Sequence, residues 1–202
     1  MLTHRIWAFL LFFGAFLTLQ PVHATMVLPQ GLDNLHAKAK YIFLGDCLEN
    51  KVALDPVSGR VATFTTFQIL ESLKGDPGTT YTIKQVGGQL PDSPIVTHIV
   101  GVPQFEVGKR YLVFLPAASR IGFASPVGLT QGVFTASENP SGETVVSNGR
   151  DVADLLETVT PDKIPPGMAS KMHLVRTPTN AQARKAIRLD DVRSLLQGMP
   201  QP

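Results

Sequence analysis

Cysteine is almost missing from this chain. Cys47 is the only one among 202 residues, so an intramolecular disulfide is excluded, and in an oxidising compartment a lone thiol has to be buried or it is a liability. Its setting, Tyr41-Ile42-Phe43-Leu44-Gly45-Asp46-Cys47-Leu48, is apolar and strand-like, which is the setting of a core thiol acting as a small hydrophobe. An excess of one charge is missing too. Eighteen Lys and Arg against sixteen Asp and Glu leave +2, which gives no electrostatic case for nucleic acid. After the first 24 residues no apolar run approaches the ~20 residues needed to cross a bilayer.

Catalytic and metal-binding patterns are missing as well. There is no G-x-S-x-G elbow and no Ser/His/Asp context. Neither H-E-x-x-H nor C-x-x-C occurs, and His36, His98 and His173 are too scattered to read as a ligand set. Cys47 and His98 are the one nucleophile-base pair that can be named, and nothing in their spacing brings them together. Glu71, Asp92 and Glu106 are too dispersed to argue a glycosidase. Gly87-Gly88 and Gly128-x-x-x-Gly132 do not stand between a strand and a helix, as phosphate loops do; they read as turns needing positive φ or close backbone approach. Gln131 and Asn148 fall on predicted loops, where solvated turn residues are the default. The expectation is therefore a non-enzyme with no catalytic, metal or cofactor site.

What is present begins with a leader. Met1–Arg5 is a short basic start, Ile6–Leu19 is apolar, and Val22-His23-Ala24 places small residues where a signal peptidase needs them. Residues 1–24 are read as a signal peptide, with export to the periplasm or beyond. Cleavage leaves 178 of the 202 residues, and the charge falls from +2 to +1 because Arg5 is lost. That length suits one domain with a real core.

The longest extended stretch is Arg60–Gly75. Val61, Phe67, Ile69 and Leu73 share one parity, while Phe64 and Leu70 take the other, so either both faces are covered or a bulge shifts the phase. Tyr41–Leu48, Thr79–Val86 and Arg110–Leu115 read as further strands, and Ile95–Val100 as a short edge strand. Arg110–Leu115 is nearly all apolar, as expected of a central strand covered on both sides. Gly101–Gly108 is a loop in which Val102 or Phe105 tucks inward. Arg120–Val127 is weakly strand-like. Gly128–Thr135 feeds another strand, and Asn139-Pro140-Ser141-Gly142 turns a hairpin into Glu143–Ser147. Leu32–Lys40 and Arg150–Glu157 read as brief helices. Leu189–Leu196 is a terminal helix with Asp190 as its N-cap and Gly198 as its stop.

The pattern gives a mainly β protein: a small closed or partly open antiparallel barrel of five to seven strands, with a short helix near each end. The boundaries are 25–158 for the barrel, 159–186 for a Pro-containing linker and 187–202 for the C-terminal helix and tail.

A resemblance follows from a particular run. Ile42-Phe43-Leu44-Gly45, Thr66-Phe67-x-Ile69-Leu70-x-x-Leu73-Lys74-Gly75 and Gly87-Gly88 are followed by Gly101-x-Pro103-x-Phe105-x-x-Gly108. Tyr111-Leu112-Val113-Phe114-Leu115 and Gly128-Leu129-x-Gln131-Gly132-x-Phe134 complete it. Over Tyr41–Thr135 the chain resembles a family of secreted bacterial proteins of uncharacterised role. The strand order, with Leu73-Lys74-Gly75 ending the long strand, also looks like the netrin-like module of tissue inhibitors of metalloproteases, an OB-type barrel. That resemblance implies a fold more than an activity. Those inhibitors chelate zinc through an N-terminal cysteine, whereas Thr25-Met26 is the expected terminus here and the module's disulfides are lacking.

The resulting expectation is an exported non-catalytic barrel that binds another protein, such as an exported protease. The alternative is a barrel that takes a small ligand or lipid in its apolar interior. An enzyme with an unfamiliar site ranks third.

Overall fold

A computed structural model describes residues 28–159 and 185–200. The leader, the Pro-rich stretch from Thr160 and His173 lie outside the described residues. Among those described, the chain is mainly β. Its elements in order are α1 (Leu32–Lys38), β1 (Tyr41–Leu54), β2 (Val61–Lys74), β3 (Thr80–Val86), β4 (Gly88–Gln89), β5 (Val96–Thr97) and β6 (Arg110–Leu115). A 3₁₀ turn (Leu129–Gly132), β7 (Val133–Glu138), β8 (Thr144–Ser147), α2 (Val152–Leu156), β9 (Ile187–Arg188) and α3 (Leu189–Gln197) follow.

Seven strands form one antiparallel sheet in the order β3-β2-β1-β6-β7-β8-β9, and β4-β5 is a separate small hairpin. The hub is the pair β1 and β6. Ile42 faces Phe114, and Leu44 faces Leu112. β6 is covered on both sides, as its composition predicts. Leu112 and Phe114 belong to one core cluster with the buried residues of α1, α2 and α3. Tyr111, Val113 and Leu115 belong to the other, with Phe43, Phe67, Ile83 and Phe105. Each fully buried Phe or Leu stabilises by roughly 1.5–3 kcal/mol, so these two layers hold the sheet. The second layer is aromatic: Phe105 meets Phe67 edge-on at 4.9 Å and Tyr111 at 5.2 Å.

The closed barrel is corrected to an open sheet. β3 and β9 are its ends, and neither pairs with the other. The segment between β6 and β7 crosses to β3, where a single parallel bridge joins Lys84 and Phe123 and the Ala124 amide donates to the Lys84 carbonyl at 3.0 Å. It then returns to β6, with the Val127 amide on the Phe114 carbonyl at 2.8 Å. This segment, expected as a weak strand at Arg120–Val127, covers the aromatic layer without adding a strand.

The phase slip in β2 has a local cause. The β1–β2 register jumps at Ile42/Phe43, Leu44/Gly45 and Cys47/Glu49. The residues left without a partner there are Leu73, Leu70 and Leu48. Leu70 and Leu48 are exposed at 46% and 48%, because a bulged residue is freed from the pleat. Leu73 instead packs on the helical layer, away from Phe67 and Ile69. Asn50–Arg60, with its Asp55-Pro56 and Ser58-Gly59 pairs, reads from sequence as the turn into β2, but β1 runs on to Leu54 and the turn begins at Asp55. Ile95–Val100 is strand only at Val96–Thr97 and pairs with β4, outside the main sheet.

The C-terminal helix starts at Leu189 with Arg188 as N-cap, so Asp190 sits in the first turn and does not cap it. Leu189, Val192, Leu195 and Leu196 enter the helical core layer.

Candidate binding site

A cavity lies at the outer half of β1, β2 and β3, away from the hub. It has a volume of about 220 Å³. Its floor is Asn50 and Val52 of β1, Thr63 and Thr65 of β2, and Gln85 of β3; its roof is the chain from Thr97 to Phe105. The register explains the floor. Thr63 faces Gln85, Thr65 faces Ile83, Asn50 faces Thr65 and Val52 faces Thr63. Directly opposed residues share a sheet face, so these side chains all stand on one side.

One hydrogen-bond chain pins the roof and a further bond pins Gly87. The Thr65 hydroxyl donates to Asn50 Oδ1 at 2.6 Å, and Asn50 Nδ2 donates to the Phe105 carbonyl at 2.7 Å. The Thr63 hydroxyl donates to the Gly87 carbonyl at 2.7 Å. Phe105, one of the two residues, with Val102, expected to tuck inward from that loop, anchors the far end of the roof in the aromatic layer.

Gly87 and Gly88 form the hinge between floor and roof. Their φ values are 105° and 127°, a region that side-chain-bearing residues rarely adopt. A Cβ on Gly88 would stand 2.7 Å from both Thr63 Oγ1 and Val52 Cγ1, and one on Gly87 would stand 2.5 Å from the Thr97 carbonyl. Close backbone approach, the reading made from sequence, accounts for this pair.

Gln85 is the unusual floor residue. It is 3% exposed, and its Nε2 has no hydrogen-bond partner. A buried donor left unsatisfied costs about 1–3 kcal/mol. No Asp, Glu, Lys or Arg lines the cavity. The site therefore offers hydrogen bonds and apolar surface, with His98 as its one titratable side chain.

The residues weighed from sequence fall elsewhere. Cys47 is buried in the aromatic layer, and burial pushes its thiol pKa up. His98 is exposed on the cavity roof, whose lining does not include Cys47, so the two are not brought together. His36 is buried; desolvation and then the nearby Lys74 charge lower its pKa. Lys74, itself buried, donates from Nζ to the His36 carbonyl at 2.6 Å. Gln131 and Asn148 are internal struts, not free turn residues. Gln131 Oε1 accepts from the Gln30 amide at 2.8 Å and from Arg150 Nη1 at 3.0 Å, while Asn148 Nδ2 donates to the Gln131 carbonyl at 2.9 Å. Gly132 is a close-approach position, since a Cβ there would lie 2.4 Å from the Val127 carbonyl. Glu71 pairs with Arg193, and Glu106 pairs with Lys109. Among the described residues, no group of three or more His, Cys, Asp or Glu side chains is placed to hold a metal ion.

Sequence reasoning missed the floor. The signal was present in β3: Tyr81 and Ile83 define its apolar parity, and Gln85 continues that parity with a carboxamide.

Beside the cavity, the β4-β5 hairpin and the turn after it carry an apolar tip. Ile95 is 72% exposed, Val96 60%, Ile99 42% and Val100 88%. No family model, no curated protein and no solved structure matches the chain.

Proposed function

We propose that this chain is an exported, non-catalytic β module that binds another exported protein through the tip at residues 95–100. The observation behind this reading is the cluster of four exposed aliphatic side chains within six residues. Isolated surface hydrophobes are ordinary, but a contiguous group marks a site of association. The segment from Ser93 to Phe105 contains no Lys or Arg. A membrane-docking tip carries basic and aromatic flanks, so the tip suits a partner with an apolar groove. Two further features agree with a non-catalytic role: the thiol is buried with a raised pKa, and His98 stands apart from it. Export rests on the basic-apolar-small layout of residues 1–24.

The experiment is in-cell photocrosslinking. A photoreactive residue replacing Val100 yields a discrete adduct in the exported fraction, and one replacing Ser141, on the distant β7-β8 turn, yields none. Identical patterns at the two positions would reject the reading.

A further inference from the structure

We propose that the cavity beneath the Thr97–Phe105 roof is a socket for a small uncharged group bearing a carbonyl or amide oxygen, with Gln85 Nε2 as its hydrogen-bond donor. The socket adjoins the apolar tip and shares Thr97, His98 and Ile99 with it, but it is argued from the cavity floor and does not rest on the tip's role. Three observations carry it.

The first is the orphan. Gln85 is buried, stands on the cavity side of β3 opposite Thr63, and has no partner for Nε2. The nearest hydroxyls, of Thr63 and Thr65, are turned to donate to the Gly87 carbonyl and to Asn50 Oδ1, and neither accepts from Nε2. A buried donor of this kind is satisfied by a ligand acceptor, and the penalty it carries when empty becomes affinity when filled.

The second is charge. No Asp, Glu, Lys or Arg lines the cavity, and its one titratable side chain, His98, is exposed on the roof, so a carboxylate or ammonium beside Gln85 meets no buried counter-charge to offset its desolvation. A neutral acceptor loses far less. Val52, Val86, Ile99, Val102 and Pro103 supply apolar wall for the rest of the molecule.

The third is size and build. About 220 Å³ is the space of roughly seven waters at ~30 Å³ each, which fits one amino-acid-sized unit and not a lipid chain. Asn50 ties the roof to the floor, and the glycine hinge holds them close, so the socket is already formed.

The same chemistry has two sources: a free small amide, or one residue of a polypeptide. The test is an NMR titration of the full mature chain, following the Gln85 side-chain NH₂ and the Gly88 and Thr97 amides. The probes are 2-pyrrolidone, N-acetyl-leucine methylamide, acetate, tetramethylammonium and toluene. The expected result is that at least one amide probe shifts all three signals and binds about tenfold more tightly than acetate, tetramethylammonium or toluene, a factor worth about 1.4 kcal/mol. Preference for pyrrolidone assigns a free ligand, and preference for the leucine derivative assigns a polypeptide. Gln85→Leu is expected to weaken amide binding at least about tenfold while raising the melting temperature of the empty protein, since the orphan donor is removed. Val52→Phe fills the cavity from β1 and abolishes the titration without touching Gln85, which covers the case in which Gln85→Leu does not fold. The proposal is overturned if neither amide shifts the Gln85 NH₂, if toluene binds as tightly as the amides, or if Gln85→Leu or Val52→Phe titrates like the wild type.

Discussion

Arg193 of the C-terminal helix lays its guanidinium flat on Glu71 of β2, with Nε at 2.7 Å from Oε1 and Nη2 at 2.6 Å from Oε2. The two residues are 122 positions apart in the chain, and the fork-to-fork geometry fixes orientation as well as distance. Asp190 also accepts from Arg193. The helix is held from below by Leu195 and Leu196 in the core layer, so the ion pair sets its angle on β2.

The first prediction concerns that pair. Both side chains are about one-third exposed, and solvent screens them accordingly. Arg193→Gln is expected to cost roughly 1 kcal/mol, the scale of a charge-assisted bond discounted for exposure. Leu195→Ala should cost about 2–5 kcal/mol, because it empties a fully buried site. Urea denaturation of the two variants checks the ranking, and a larger loss for Arg193→Gln would contradict it.

Acid stability supplies the second. Asp55 is buried at the turn after β1, and Lys84 Nζ donates to its Oδ1 at 2.7 Å while the Ser58 hydroxyl donates to Oδ2 at 2.7 Å. The Lys84 bond and then the Ser58 bond hold the Asp55 pKa below the ordinary carboxylate value. A depressed folded-state pKa means that the unfolded chain binds the proton more readily. The stabilisation is therefore complete above about pH 4 and is lost as pH falls through the lower folded value. Melting temperature measured from pH 7 to pH 2 should fall less steeply below pH 4 in Asp55→Asn than in the wild type, with the variant already less stable at pH 7. Parallel curves would contradict the role given to Asp55.

How much of this was legible in advance depended on the kind of signal. β6 could be read because five consecutive apolar residues fit only a strand covered on both faces, and that is where Tyr111–Leu115 lies. The inward turn of the 101–108 loop was readable, but whether Val102 or Phe105 made it was not; Phe105 is the buried one, and Val102 is half-buried. The outer half of β1 was not readable. Asn50–Arg60 reads as a turn, yet Asn50 to Leu54 form part of a long ribbon whose pairing, Asn50 with Thr65 and Lys51 with Phe64, is set by the partner strand. The openness of the sheet was equally out of reach, since alternation reports faces and not which edges meet. The cavity floor is assembled from three strands by register, and only Gln85, a carboxamide in an apolar parity, betrayed it.

The lone thiol gives the third prediction. Burial against Phe67 and Phe105 raises the Cys47 pKa and blocks access, and the thiolate is the reactive form. Native protein at pH 7.5–8 should react with a disulfide reagent at least about a hundredfold more slowly than protein in denaturant. Equal rates, read from the absorbance of the released thiol, would place Cys47 at a reactive surface instead.

The central claim is that residues 95–100 are the surface through which this module engages an exported protein. Its most direct test is quantitative affinity capture from the exported fraction with wild-type protein and with an Ile95→Ser/Val100→Ser variant, whose melting temperature should be unchanged because both side chains already face solvent. At least one protein should be retained by the wild type and reduced about tenfold or more by the variant, as expected when two apolar anchors worth over ~1 kcal/mol each are removed. Indistinguishable capture by the two proteins would contradict the account.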